Sequence, residues 1–274
     1  MDELKIKTGF LCNNNCRFCL YKTKGERSNK SRQKIEEELK AGRNFKKVVF
    51  SGGEPTIRKD ISEIISFAKK KGFKEIEIKS NGRMFAYQDF CEELIKRGAN
   101  RFSFYLLGHI KELHDWLTCI PGSFEQIVKG IKNLKALGQK VNCEVIITKS
   151  NYPHLLEILD FGLKLKIDQF QFIFPKPVGM ALENFDSLIP RFFLIVSYLK
   201  EAVKKGVKAK KIIEIKNIPA CFLKGYEKYM VEGSSSGKTK AKDCLKCRYF
   251  KSCEGIFEEY IKHFGEKEIC SMKK

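Results

Sequence analysis

Three cysteines stand within eight residues near the start of the chain, Cys12-Asn-Asn-Asn-Cys16-Arg-Phe-Cys19, with small polar spacers between the first two. Thiolates so spaced on one loop can wrap one face of a cubane iron–sulfur cluster and leave its fourth iron open to a small molecule. A structural zinc is the competing reading, but it usually takes four closed ligands, and no nearby Cys or His completes this set. The spacing favours iron–sulfur.

A second group lies in the last fifth of the chain. Cys244, Cys247 and Cys253 form CxxC-x5-C, and Cys221 stands upstream after Ile-Pro-Ala. Four thiols suit either a zinc knuckle or a further cluster. Cys270 falls beyond the set and is left out of it. Cys91, Cys119 and Cys143 are scattered singly in apolar segments and read as small buried hydrophobes. Eleven cysteines in a chain without secretory features point to metal binding rather than disulfides.

These loops need a scaffold. Apolar β-rich runs occur at Leu4–Thr8, Lys47–Ser51, Glu75–Lys79, Arg101–Leu106, Val141–Thr148 and Gln169–Phe174. Helical periodicity fills the gaps at about 31–42, 87–97, 123–137, 154–165 and 188–205. Ile61, Ile64, Ile65 and Ala68 give the clearest helix, with Asp60 and Glu63 as an expected capping box and Gly72 as its end. Strand–helix units in succession imply parallel strands with right-handed crossovers and a site at the strands' C-terminal ends. The expected fold is α/β, a partial (β/α)6 TIM-like barrel with a small cysteine-rich C-terminal extension. The boundary is drawn at 1–205 and 206–274. Ile212–Ile215 is a candidate further strand, and Val231–Asp243, with Gly-Ser-Ser-Ser-Gly, reads as a mobile loop.

The first cysteine triplet follows the first strand, and Phe18 precedes its last member. Ser51-Gly52-Gly53-Glu54-Pro55 follows the second strand and Ser80-Asn81-Gly82 the third. In order and spacing, about residues 4–180 resemble the radical SAM superfamily, with Ser where its TNG-like sequence has Thr. The resemblance implies that Cys12, Cys16 and Cys19 hold a [4Fe–4S] cluster whose open iron chelates S-adenosylmethionine. Glycines 52 and 53 would let the ligand approach the backbone. Glu54 would accept from the S-adenosylmethionine ammonium and Phe18 would lie near the adenine. Asn81, Glu144 and Gln171 are candidates for ribose or substrate contacts. The Cys221, Cys244, Cys247 and Cys253 set resembles SPASM and twitch extensions, implying one auxiliary [4Fe–4S] cluster, with zinc as the alternative. The tail has too few cysteines for two.

The implied activity is reductive cleavage of S-adenosylmethionine to a 5′-deoxyadenosyl radical that abstracts a substrate hydrogen. A peptide or protein substrate is expected, with a donor such as ferredoxin or flavodoxin supplying the electron. Histidine is scarce, as radical chemistry allows; for His109 and His114, capping or loop packing is preferred to substrate contact. A net charge of +20 keeps two alternatives open. One is radical modification of RNA or a cofactor precursor, and the other is a non-catalytic metal-cluster protein that binds nucleic acid. The second leaves Gly52-Gly53-Glu54 unexplained. A hydrophobic fraction of 43% excludes a disordered chain. No apolar run nears the roughly 18–20 residues of a membrane span, so a cytoplasmic location is expected.

Overall fold

A computed structural model describes residues 3–21, 28–233, 236–269 and 272. In chain order the elements are β1 (Glu3–Lys7), α1 (Arg32–Ala41), β2 (Lys47–Ser51), α2 (Ile61–Lys70), β3 (Glu75–Ser80), α3 (Gln88–Arg97) and β4 (Arg101–Tyr105). They continue with α4 (Lys111–Thr118), α5 (Ser123–Ala136), β5 (Lys140–Ile146), α6 (Leu155–Lys164) and β6 (Gln169–Ile173). The last are α7 (Met180–Glu183), α8 (Phe185–Leu188), α9 (Phe192–Lys208), β7 (Ile212–Lys216), β8 (Lys238–Thr239), β9 (Ile256–Phe257) and α10 (Glu258–Phe264).

Strands β1 to β7 form one parallel sheet in sequential order. It curls into a half-barrel flanked by helices, an α/β partial TIM-like barrel. The sheet has two chemically different faces because side chains alternate along a strand. Val48, Phe50, Ile76, Ile78, Phe102, Phe104, Phe170 and Phe172 enter the apolar core with the helices. The intervening positions are mostly polar, Val49 on β2 being an exception. Lys47 pairs with Glu3 at 2.8 Å and Glu77 at 2.7 Å, and Ser103 Oγ donates to Glu77 at 2.6 Å. Lys79 pairs with Glu144 at 2.5 Å, and Gln171 Nε2 donates to Glu214. A closed barrel fills its interior with branched apolar layers, whereas this concave face holds charge in mutually neutralising pairs.

Local sequence explains the start of α1. Ser31 caps α1, its Oγ accepting from Lys34 N at 3.3 Å. The capping box expected at Asp60 is not formed: its carboxylate takes Arg58 Nε at 2.9 Å and Nη2 at 2.8 Å instead. The other end of that guanidinium donates to Thr8 O at 2.7 Å and Lys30 O at 2.8 Å. A bidentate ion pair with a guanidinium that two backbone carbonyls hold in place offers Asp60 more than a solvated helix start does.

The long helix expected from 188 begins at Phe192, behind two single-turn helices. It runs through residue 206, and β7 continues the sheet beyond it, so the expected 205/206 division falls inside α9. The stretch 231–243 is not wholly a loop. It contains β8, which pairs antiparallel with β9, while Ser234 and Ser235 lie outside the described residues. After β7 the chain folds back onto α9. Tyr260 is fully buried against Phe174 and Phe192 and accepts a hydrogen bond from Phe192 N at 2.9 Å.

Candidate functional site

The C-terminal ends of the strands converge on one cavity of about 290 Å³. Cys12, Cys16, Phe18 and Cys19 from the loop after β1 line it, together with Gly52, Gly53 and Glu54 after β2 and Asn81 after β3. Tyr105, Ile146 and Ile173 at the ends of β4, β5 and β6 close it, with Pro175, Lys176 and Asn217 beyond.

Backbone hydrogen bonds to three neighbours seat the cysteine loop. At the β2 end, Gly53 N donates to Gly9 O and Glu54 N to Leu11 O, both at 2.8 Å. At the C-terminus of α4, Asn15 N and Arg17 N donate to Thr118 O and Leu117 O, both at 3.0 Å. Those carbonyls are the orphan acceptors that any helix end leaves. At the start of α7, Met180 N donates to Cys19 O at 3.0 Å. The two glycines are required by this packing. A Cβ on Gly53 would stand 2.1 Å from Leu11 O, and one on Gly52, at φ +124°, 2.5 Å from Gly9 O. The close approach they permit is that of the chain's own Gly9–Leu11 segment.

Glu54 is buried, and its carboxylate holds this corner together. Oε1 accepts from Thr56 N at 3.0 Å, Thr56 Oγ1 at 2.5 Å and Ser80 Oγ at 2.8 Å. Oε2 accepts from Asn81 N at 2.7 Å. With about two lone pairs per oxygen, Oε1 is saturated and Oε2 alone keeps capacity for a ligand. Burial raises the carboxyl's pKa, opposed by those donors. Asn81 Nδ2 donates to Asn13 Oδ1 at 2.7 Å, and Arg83 Nη1 donates to Asn13 O at 2.5 Å. Asn13 and Arg83, which spacing does not single out, thus tie the cysteine loop to the β3 end.

Burial pushes the Cys12 thiol up to about 11, with Glu54 and Cys19 adding repulsion against the Asn14 amide. Cys16 is raised further by burial, then by Cys12 and Cys19. Cys12 and Cys16 in that state stay protonated until a metal displaces their protons. Among the described residues no group of three or more Cys, His, Asp or Glu closes tightly enough for a single metal ion. Three thiols sharing a roomy cavity suit the wider cluster.

The structure does not bring Glu144 or Gln171 to the cavity lining. Glu144 sits below it, paired with Lys79, and Lys79 reaches the wall instead. His114 belongs to α4. It is fully buried, Leu107 N donates to its Nδ1 at 3.3 Å, and burial lowers its pKa to about 4. His109 lies near His154, their rings tilted with centres 5.3 Å apart, outside the lining. Cys91 and Cys143 are buried in the core; Cys119 is partly exposed and ends α4 with φ +55°.

Cys221, Cys244, Cys247 and Cys253 do come together, around a gap of about 20 Å³ shared with Pro219 and Tyr249. Burial and then repulsion from Cys253, Cys244 and Cys247 push Cys221 up to about 12. Cys270 lies outside the described residues.

A family model described as the Radical SAM superfamily matches residues 6–162. A Saccharolobus islandicus protein named "Probable GTP 3′,8-cyclase" is 25% identical over 222 residues, covering 78% of this chain and 71% of its own. The same name belongs to a Sulfurisphaera tokodaii protein, 28% identical over 192 residues, 68% of this chain and 60% of its own. Among solved structures, Streptococcus suis SuiB bound to S-adenosylmethionine has a TM-score of 0.66 at 19% identity, covering 85% of this chain. The match spans 53% of SuiB, about half its length. Methylornithine synthase has a TM-score of 0.59 at 21% identity, over 73% of this chain and 62% of its own. Among the described residues no helix is long and apolar enough to cross a membrane.

Proposed function

The chain belongs to the radical SAM superfamily and is an enzyme, and from that premise we propose that Cys12, Cys16 and Cys19 hold its [4Fe–4S] cluster in the barrel-mouth cavity. The observation that carries this is the single cavity wall shared by the three thiols, Gly52, Gly53, Glu54 and Asn81. Held there by Cys12, Cys16 and Cys19, the cluster would supply the one electron needed for reductive cleavage of S-adenosylmethionine, the source of the radical that would abstract a substrate hydrogen. The chain's own contribution is placement. Glu54 Oε2 accepts from the ligand's ammonium, Phe18 lies beside the adenine, and Asn81 faces the ribose. Tyr105, Ile146 and Ile173 keep water from the reacting atoms.

The substrate we propose is a peptide or protein. SuiB, which shares the half-barrel, has been solved with its precursor peptide. A second reading, a small cofactor precursor, is favoured by the relatives named for GTP 3′,8-cyclase. Cys221, Cys244, Cys247 and Cys253 hold an auxiliary [4Fe–4S] cluster in this proposal, in an extension that begins after β7. Ferredoxin or flavodoxin is the proposed electron donor.

After anaerobic reconstitution, two clusters give roughly eight iron per chain. Reduced protein given S-adenosylmethionine releases 5′-deoxyadenosine, and the Cys16→Ala variant releases none. Absence of 5′-deoxyadenosine from the wild type with every candidate substrate overturns the assignment. About four iron with one zinc removes the second cluster alone.

A further inference from the structure

Lys238 is a buried cation outside every motif of the sequence. Its side chain is only 1% exposed. The ammonium donates to Glu254 Oε2 at 2.5 Å and to Asn217 Oδ1 at 3.1 Å, and lies 4.9 Å from the centre of the Phe257 ring. Burying a charge is costly unless partners replace its water. An apolar side chain on β8 would fill such a place without that cost.

What the charge joins is therefore informative. Glu254 directly follows Cys253, and its Oε1 accepts from Gly233 N at 2.6 Å. Asn217 directly follows β7, lines the barrel-mouth cavity, and donates through Nδ2 to Phe174 O at 3.2 Å. It holds φ at +63°, a left-handed conformation that asparagine adopts more readily than other side-chain-bearing residues. No side chain fits between the two partners: a Cβ on Gly233 would stand 2.2 Å from Asn217 Oδ1 and 3.0 Å from Glu254 Oε2. Cys253 and the cavity wall are thus linked by one short polar path whose middle member is Lys238.

We propose that Lys238 is a positioning residue for the cavity: held by Glu254 beside Cys253, it fixes Asn217, so that the cysteine-rich extension and the cavity wall set their geometry together. This rests on the assignment of the cavity to S-adenosylmethionine.

The test measures binding of S-adenosylmethionine to reconstituted full-length enzyme by calorimetry, alongside the electron paramagnetic resonance spectrum of the reduced protein. Lys238→Met weakens binding about tenfold, and Asn217→Ala does the same. Because both cut one path, the double variant loses no more than about twofold beyond either single variant. In Lys238→Met the spectral change on adding S-adenosylmethionine is reduced at unchanged iron content, which a general loss of stability would not produce. Should Lys238→Met fail to accumulate, Glu254→Gln is judged by the same measures. Binding within about twofold of wild type, or single-variant losses that multiply, overturns the proposal. A wild type that binds no S-adenosylmethionine overturns the cavity assignment as well.

Discussion

Asn81 N donates to Glu54 Oε2 at 2.7 Å, joining the turn after β3 to the turn after β2 through one buried carboxylate. Two motifs that lie 27 residues apart in sequence therefore act as one corner of the cavity. Glu54 is a bracket as well as the proposed partner of the ligand's ammonium. Thr56 and Ser80 occupy one carboxylate oxygen, and Asn81 N takes only part of the other's capacity.

Glu54→Gln should test that double duty. An amide supplies one acceptor oxygen where the site presents donors to both, so one buried N–H faces an NH2 group. The variant should lose about 2 kcal/mol of stability in urea unfolding, and S-adenosylmethionine should bind it more weakly. Unchanged unfolding would mean that the carboxylate does not hold the two turns.

Gly53→Ala should disturb the cysteine loop from behind. Its Cβ meets the Leu11 carbonyl, which is backbone and cannot rotate aside. A cost of roughly 1–3 kcal/mol is expected from such overpacking. Iron retained at the N-terminal site after reconstitution should fall with it, whereas a helix-surface change such as Lys70→Ala should leave iron content alone.

Arg58 binds three segments at once, Asp60 and the carbonyls of Thr8 and Lys30, with its side chain 5% exposed. Methionine there keeps the stem and takes one donor from the Thr8 carbonyl, which keeps Lys30 N, and the guanidinium donors from the Lys30 carbonyl and the Asp60 carboxylate. Calorimetric unfolding of Arg58→Met should show a loss of about 3 kcal/mol.

His114 makes stability depend on pH. Its folded pKa of about 4 lies below the usual histidine value because burial disfavours the charged ring. Between that value and about 6.5 the unfolded chain binds the proton and the folded chain does not. Stability from this group is therefore complete above that window and is lost as pH falls through it. Going from pH 7 to pH 5 should remove about 2 kcal/mol on this account. His114→Asn, which keeps an acceptor for Leu107 N, should show a flatter urea-unfolding profile over the same range.

The strands were legible because Val48-Val49-Phe50, Ile76 with Ile78 and Phe102 with Phe104 stand in short runs bounded by turns. The cysteine, Gly-Gly-Glu and Ser-Asn-Gly motifs were legible because each follows such a run. The α4 helix was not. It has eight residues and ends on Cys119 in a left-handed conformation where a sequence reader looks for glycine. Strands β8 and β9 have two residues each, too few for any period to show. Glu144 was expected at the cavity from its strand alone, but a strand end does not say which pleat reaches the opening. Ile146, two residues further along β5, takes that place, with Lys79 of β3 also on the wall. Lys238 was beyond reach for a further reason. Pairing with Glu254 and Asn217 comes from tertiary structure, and its sequence surroundings suggest a mobile loop.

Tyr260 carries a consequence for how such a chain can be cut and recombined. Its ring packs on Phe174 and Phe192, so the cysteine-rich segment supplies part of the apolar interior that α9 needs. A barrel expressed without that segment would present those aromatic rings to solvent and should aggregate. Grafting the segment onto another barrel would demand matching aromatic sockets. Inheritance of the two parts is then bound together by packing: a lineage can vary the loops around the cavity at little cost, but it cannot shed the tail without rebuilding the wall behind α9.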